Sequence, residues 1–517
     1  MVNNCSMSNK IKSIYIPMSL CIIILFFIIN NLIWFHSNML PPGWDESHHM
    51  LLSMKYYGLI SQIKSIGDIE KFLAISSYYP PFFHSSAIPV IFFSGCSERS
   101  FIFINLFYLI LFAVSLYMIG KILFDRSVAI ITLMLILFYP IIYEMSRRYM
   151  VDFALLAMVT SVIYLILKSE GGLKRPWNIL LGINIGFALL TKASAMIYFL
   201  PFWIFEVFIN YRGKKKIFFR ILTVLIISFI IAGPWYLLNF KELLREHNYW
   251  QHQAKMIEAD PQGIIPSFFY YINAFKYTAI SNNLLLFFVM GTSLFLLFYR
   301  NLRVLFSLII WAVPAFIILL LAPNKDARFI MPILPVFAFF TIAGINVIKK
   351  KIARNIILFI VIIIGYIQFN NLSFNAFPSL IKNKTSYSNR SPVKQDWKNM
   401  EIIRFISNYS GNRHIKIGVL AECQYFNPNI FMLYACLSKL PYSIEGIGPV
   451  TPIEYIKKYD FFIIKYPDIA AYWVALHYYK FYNKLKEIGI DSFGFKKVAE
   501  FNLPDESAAT LYCKEKP

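Results

Sequence analysis

The sequence predicts an α-helical polytopic membrane protein that carries a small α/β domain at its C-terminal end. Three observations predict it. Of 517 residues, 58% are hydrophobic, 18% aromatic and only 15% charged, whereas soluble domains are nearer a quarter charged. Apolar segments long enough to cross a hydrocarbon core of ~30 Å recur from residue 14 to residue 370. Beyond residue 370 the pattern changes to short apolar runs and amphipathic stretches. With a mean hydropathy of +0.56, the chain is neither a soluble globular enzyme nor a disordered polymer. Its formal net charge of +22 must be weighed against the positive-inside rule before it suggests nucleic acid.

About eleven apolar segments read as spans, near residues 14–34, 101–122, 128–143, 150–167, 177–191, 193–210, 217–238, 281–299, 304–321, 329–347 and 355–370. The first lacks the small-residue cleavage site of a removable signal. An N-terminus on the cytoplasmic side gives the inner connections 18 basic residues against three acids, and the outer ones before residue 371 only 13 against 12. That asymmetry predicts a multi-pass plasma membrane protein with its C-terminal domain extracytoplasmic. The basic excess then meets anionic headgroups of membrane lipid, and no nucleic-acid partner is implied.

The division expected is a membrane domain over 1–370, with a long first outer loop over 35–100, and an extracytoplasmic domain over 371–517. In the latter, Ile415–Glu422 and Asp460–Tyr466 read as buried strands, and 395–409 and 473–488 as amphipathic helices. No nucleophile elbow or phosphate loop occurs in it, so it reads as a lid or acceptor-side module. Asn371, Asn383 and Asn408 begin N-x-S/T triplets. The six cysteines show no zinc spacing, and Cys423 and Cys436 are the pair that an oxidising compartment could join.

A charge within a span costs about 2.5–3.5 kcal/mol on insertion scales, so charges at outer span ends are the informative ones. Trp44-Asp45-Glu46-Ser47-His48-His49 places two carboxylates beside two imidazoles, which suits general-base work or metal ligation; a helix over 48–60 capped by Asp45 or Ser47 is the structural alternative. Tyr78-Tyr79-Pro80-Pro81-Phe82-Phe83-His84 suits an interfacial anchor or substrate contact. In Glu144–Asp152 (EMSRRYMVD), Arg147 and Arg148 occupy a very short outer loop. An anionic phosphate would explain them, as would pairing with Glu144 or Asp152. Lys192, in LLTKASA, stands alone between two spans, and Arg328, in NKDARF, opens another. The acids and cations on one membrane face suit a lipid-phosphate substrate: cations neutralise a phosphate leaving group and an acid deprotonates an attacking hydroxyl.

The motif order WDESHH, YYPPFF, SRRYMVD, LLTKASA, GPWY (Gly233–Tyr236) and APNKDARFIMPILP resembles the polyprenyl-phosphate-sugar glycosyltransferases of the GT-C fold, which include protein O-mannosyltransferases and lipid A aminoarabinose transferases. The resemblance covers about residues 10–370. It implies an inverting transfer from a polyprenyl-phosphate sugar to a glycolipid, polysaccharide or protein acceptor, without a covalent enzyme intermediate. Asp45 would be the base, Glu46 its support and Asp152 the second acid. Arg147, Arg148, Lys192, Arg328 and Tyr79 would be candidates for the donor phosphate. Many bacterial relatives carry Lys directly before the Pro-Pro pair, where this chain has Tyr79. His48, His49 and His84 are not part of the family pattern; together they could hold a divalent metal. The rival class, a transporter or flippase, predicts polar residues deep within several spans, and here the span interiors are mostly Ile, Leu and Phe.

Overall fold

The computed structural model describes residues 2–60, 62–211, 217–256, 260–377, 391–411 and 413–515. The cations Arg212 and Lys214–Lys216 and the triplet at Asn383 lie outside them. Among the described residues seven helices are long and apolar enough to cross a membrane: Met18–Ser37, Glu98–Leu123, Val151–Lys168, Ile217–Tyr249, Leu302–Leu321, Ala327–Asn346 and Lys351–Phe374. The number rises to nine if each of two bent pairs is one span. Arg126–Leu137 and Pro140–Ser146 meet at 72°, and Ile264–Ala279 and Asn282–Phe298 at 116°. The remaining two expected spans correspond to the short apolar helices Trp177–Thr191 and Ala195–Asn210. At ~1.5 Å per residue neither reaches ~30 Å, so the expected eleven resolve into straight, bent and short helices.

Local chemistry sets the breaks. Pro140 stands at the first turn of its helix, where a missing N–H costs nothing. Ser281 sits between the halves of the second pair with φ of +81°, a conformation a helix cannot continue through. Asp125 and Asn301 cap the helices that follow them by accepting from backbone N–H groups.

One contiguous core joins the membrane helices. Asn282–Phe298 and Leu334–Asn346 approach closely, with Gly291 and Gly344 facing each other's backbone. A Cβ on Gly344 would overlap the Gly291 carbonyl, and one on Gly291 would strike the Thr341 backbone. Small residues at a crossing let membrane helices approach closely and gain dispersion contact.

The C-terminal domain is a five-stranded sheet, β1 (Ile415–Leu420), β2 (Tyr442–Gly446), β3 (Phe461–Tyr466), β4 (Phe495–Asn502) and β5 (Ala508–Lys514), in the order β2-β1-β3-β5-β4. β2, β1 and β3 are parallel, with Ile417 opposite Phe461 and Val419 opposite Ile463; β5 and β4 complete the sheet antiparallel. Helices Asn399–Ser410 and Pro428–Leu437 cover one face through Ile402, Ile406, Ile430 and Phe431. Helix Ala475–Ile488 covers the other with Phe481 and Leu485. Burial on both faces explains why β1 and β3 are mostly apolar, interrupted in β1 by exposed Lys416 and in β3 by Lys465 near its end. Leu433, on Pro428–Leu437, enters the membrane-domain core, and the Met39 N–H bonds the Val393 carbonyl at 2.8 Å. The sheet domain is therefore docked on the first loop.

The expected strands and helices are found, β1 ending two residues early at Leu420. Cys423 and Cys436 are free thiols. Cys423 follows β1 and bonds the Asp468 carbonyl, while Cys436 is exposed on Pro428–Leu437. Asn371 is buried in the last membrane helix and accepts from the Phe377 N–H.

Gly344→Ala is expected to destabilise the helical domain by about 1–3 kcal/mol or more through overpacking. A lowered thermal midpoint of the purified protein in detergent would register it; Gly58→Ala, where a Cβ meets open space, is the control.

Candidate active site

The first loop enters the site through the helix Trp44–Ile60. Its cap is neither Asp45 nor Ser47. Glu46 reaches back to the Gly43 N–H at 3.0 Å, the half of a capping box that a third-position glutamate supplies. Ser47 bonds the carbonyls of Gly43 and Trp44. The same Glu46 carboxylate accepts from Arg148 Nη2 at 3.1 Å and from the Tyr149 N–H at 3.2 Å. This buried carboxylate thus fixes the loop to the turn before the helix Val151–Lys168 and leaves its neighbour Asp45 half exposed, at 53% of its side chain.

Asp152 lies in the first turn of that helix with 4% of its side chain exposed. Its Oδ1 takes Lys192 Nζ at 2.8 Å and its Oδ2 lies 3.7 Å from Arg328 Nη1. The same Nη1 contacts Asp45 at 3.3 Å. Asp326 caps the 3₁₀ turn Ala327–Ile333 and anchors Arg328 through its Nε at 2.8 Å and Nη2 at 2.6 Å. Lys192 Nζ also sits 5.1 Å from the centre of the Phe329 ring. Asp45, Asp152, Lys192 and Arg328, drawn from four separate stretches of chain, form one cluster.

Tyr79 borders it. Its ring lies 4.7 Å from that of His49, and burial together with Asp45 raises its phenol well above the usual range. His49 is buried and stays neutral, with burial holding its imidazole down at about 3. Its Nδ1 shares a hydrogen bond with His84 Nε2 at 3.0 Å; His84 is likewise depressed by burial. Two imidazoles bonded to each other are poor joint ligands. Among the described residues no group of three His, Cys, Asp or Glu side chains is placed to hold a metal. The His48, His49 and His84 set therefore does not fit the divalent metal that their sequence proximity suggests.

The two arginines separate. Arg148 pairs with Glu46 and, at 3.7 Å, with Glu144; although burial opposes its charge, those two acids raise it above the ordinary arginine range. Arg147 does not reach the cluster. Its Nε donates to Asn31 and its Nη1 to Ser373, each at 2.9 Å. Four rings (Trp34, Tyr143, Phe369 and Phe374) surround the guanidinium at 5.3–5.9 Å. Burial lowers its ionisation to about 10. It locks the first membrane helix to the last.

Residues outside the expected site also hold it. In GPWY, the Trp235 indole donates to the Ser76 carbonyl at 3.2 Å and Tyr236 to the Leu189 carbonyl at 2.9 Å, while Asn239 bonds the Leu73 carbonyl. The motif ties the first loop to the helix that precedes Lys192. Glu422, after β1, is a second contribution: it accepts from Tyr478 at 3.4 Å and sits beside Trp44, whose ring packs 5.6 Å from Trp473.

A family model described as dolichyl-phosphate-mannose-protein mannosyltransferase matches residues 82–237, and one described as the Alg9-like mannosyltransferase family matches residues 258–433. Among solved structures, ArnT from Cupriavidus metallidurans bound to undecaprenyl phosphate is similar, with a TM-score of 0.57, 11% identity, and coverage of 94% of this chain and 97% of that one. The archaeal oligosaccharyltransferase AglB from Archaeoglobus fulgidus, in complex with an inhibitory peptide and a dolichol-phosphate, gives a TM-score of 0.53 and 12% identity over 87% of this chain and 69% of that one. Among curated proteins none matches in sequence. The fold is that of the GT-C membrane proteins, and the two mannosyltransferase models, each matching part of the chain, support a membrane glycosyltransferase. Both models describe transferases, and a transporter is not favoured.

Burial holds the Glu422 carboxyl at about 7, above its ordinary 4.5. The folded state therefore favours the protonated form, so stability falls as pH rises from about 4.5 to 7 and then levels. Glu422→Gln should flatten this part of the pH profile of thermal unfolding; an unchanged slope would refute the assignment.

Proposed function

We propose that the protein is an inverting glycosyltransferase that moves a hexosyl or pentosyl unit from a polyprenyl-phosphate donor to an acceptor hydroxyl on the extracytoplasmic face of the membrane. The observation that carries this reading is Arg328: one guanidinium contacts exposed Asp45 and faces buried Asp152, with Lys192 on the other oxygen of Asp152.

In this reading Arg328 and Lys192 receive the donor phosphate and Tyr79 lines its approach. Asp152 orients both cations, since a buried carboxylate between them fixes their positions. Glu46 positions Asp45 through the loop it caps. Phosphate arriving at Arg328 competes for the Nη1 contact with Asp45. The Asp45 carboxylate is then free to take the proton of the acceptor hydroxyl. The acceptor oxygen bonds to the anomeric carbon as the anomeric carbon–phosphate oxygen bond breaks, with inversion. Polyprenyl phosphate leaves with an added negative charge, which Arg328 and Lys192 neutralise. The orientation, with the N-terminus cytoplasmic, rests on the basic excess of the connections on the opposite side from the cluster.

Asp45→Asn is expected to lower sugar transfer from a polyprenyl-phosphate donor by roughly 10²–10⁴-fold, with donor binding retained. Arg328→Gln is expected instead to weaken donor binding by about 1.5–3 kcal/mol, the value of a charged hydrogen bond. Transfer by purified Asp45→Asn protein at the wild-type rate would refute the proposed base.

A further inference from the structure

The wall of the site opposite the membrane is built by the sheet domain. Parallel strands β1 and β3 end there, and their connections run in opposite directions: β1 leads to β2 on one side, and the chain returns to β3 on the other. Crevices at such a reversal, beyond the carboxyl ends of the strands, are where open α/β sheets bind ligands. Glu422 stands at that point, held by backbone bonds to Ile469 and Ala471. The Trp44 indole N–H is buried beside the Glu422 carboxyl. Trp473 packs on Trp44, and Tyr472 beside it is 88% exposed. Trp44 directly precedes Asp45.

The surface continues along the helix Ala475–Ile488. Tyr478 bonds Glu422, and its hydroxyl faces Gly448. Its neighbour His477 begins one face of the helix, followed at the next turns by Lys480 and Lys484. With Val450, Thr451 and Glu454 these three line a cavity of about 480 Å³, within the roughly 300–1,000 Å³ of small-molecule sites. The path from Asp45 thus passes an aromatic platform with a carboxyl and an indole N–H, then a cavity with two lysines. Rings stack on the apolar faces of sugars, and carboxyls and indoles bond their hydroxyls. The lysines complement negative charge.

We propose that this track is an acceptor subsite and that its ligand is an acidic glycan, a sugar stacking on Trp473 and bonding Glu422 and Trp44 while its anionic groups lie along Lys480 and Lys484. The proposal rests on Asp45 as the base only in naming the glycan an acceptor.

Full-length protein in detergent, titrated with hexagalacturonate and followed by tryptophan fluorescence, should show saturable binding, at least tenfold tighter than maltohexaose. The exposed double substitution Lys480→Glu with Lys484→Glu should weaken hexagalacturonate at least tenfold, and Trp473→Ala should weaken both oligosaccharides, with Trp473→Phe restoring part. Asp45→Asn protein should bind the probe as the wild type does, so a failure of the transferase reading is seen separately, as donor turnover by this variant at the wild-type rate with glycan binding intact. Absence of saturable binding, or indifference to the lysine reversals, overturns the proposal. So does loss of acrylamide quenching of Trp473 in phosphatidylcholine nanodiscs, which would make the platform a lipid anchor.

Discussion

A carboxylate buried in the first turn of a membrane helix has to be paired, and the pairing of Asp152 organises the site. Leaving such a charge alone costs several kcal/mol. Lys192 comes from the turn between two short helices and Arg328 from the 3₁₀ turn that opens another span. To satisfy Asp152, three segments must converge at the end of the bundle that carries the sheet domain. Arg328 then extends the network to Asp326 and to Asp45 of the first loop. The loop's own geometry follows from a second buried carboxylate, Glu46, which takes two backbone N–H groups and one guanidinium. Both acids hold chain segments together; the exposed one, Asp45, is left available for chemistry.

Much of this is legible in the sequence because charge is rare in it. At 15% charged residues, each ionisable group at a span end invites an explanation, and Asp152, Lys192 and Arg328 do meet as charge economics in lipid requires. Arg147 defeats the same logic. Its partners are neutral, Asn31 and Ser373 more than 100 residues away in either direction, and four rings. Nothing in the run SRRYMVD separates an arginine that pairs with Glu46 from one enclosed by aromatics. The role of Glu46 is hidden for a related reason, since its donors Gly43 and Tyr149 are backbone groups that any sequence carries. The GPWY segment is visible as a motif, but its purpose, bonding Ser76 and Leu189, appears only in three dimensions.

The same contrast holds for the fold. β1 and β3 are mostly apolar because both faces of the central sheet are covered, so their pattern is strong. β4 and β5 lie toward the sheet edge with mixed exposure, and β2 is five residues long, so none offers a period to count. In the membrane, hydropathy measures apolar length but is blind to direction. A 72° or 116° bend leaves it unchanged, and that is why eleven apolar segments become a mixture of straight, bent and short helices.

The charge balance of the cluster bears on how it would turn over. Asp45, Asp152 and Asp326 carry three negative charges against the two positive charges of Lys192 and Arg328. A surplus of acid at an anion site is a disadvantage unless one acid can leave. Asp152 is buried and doubly paired, and Asp326 is fixed as a cap, so Asp45, half exposed and held among the described residues by one 3.3 Å ion pair, is the one free to move. A phosphodiester donor of charge −1 that displaced it would exchange one negative partner of Arg328 for another, and the cations would remain matched. Charge then grows on the phosphate as the glycosidic bond breaks, where the cations already stand. Donor binding and release of the base thus become one event in the proposed reaction. In that proposal an empty site keeps Asp45 engaged with Arg328, and a filled one sets it beside the acceptor.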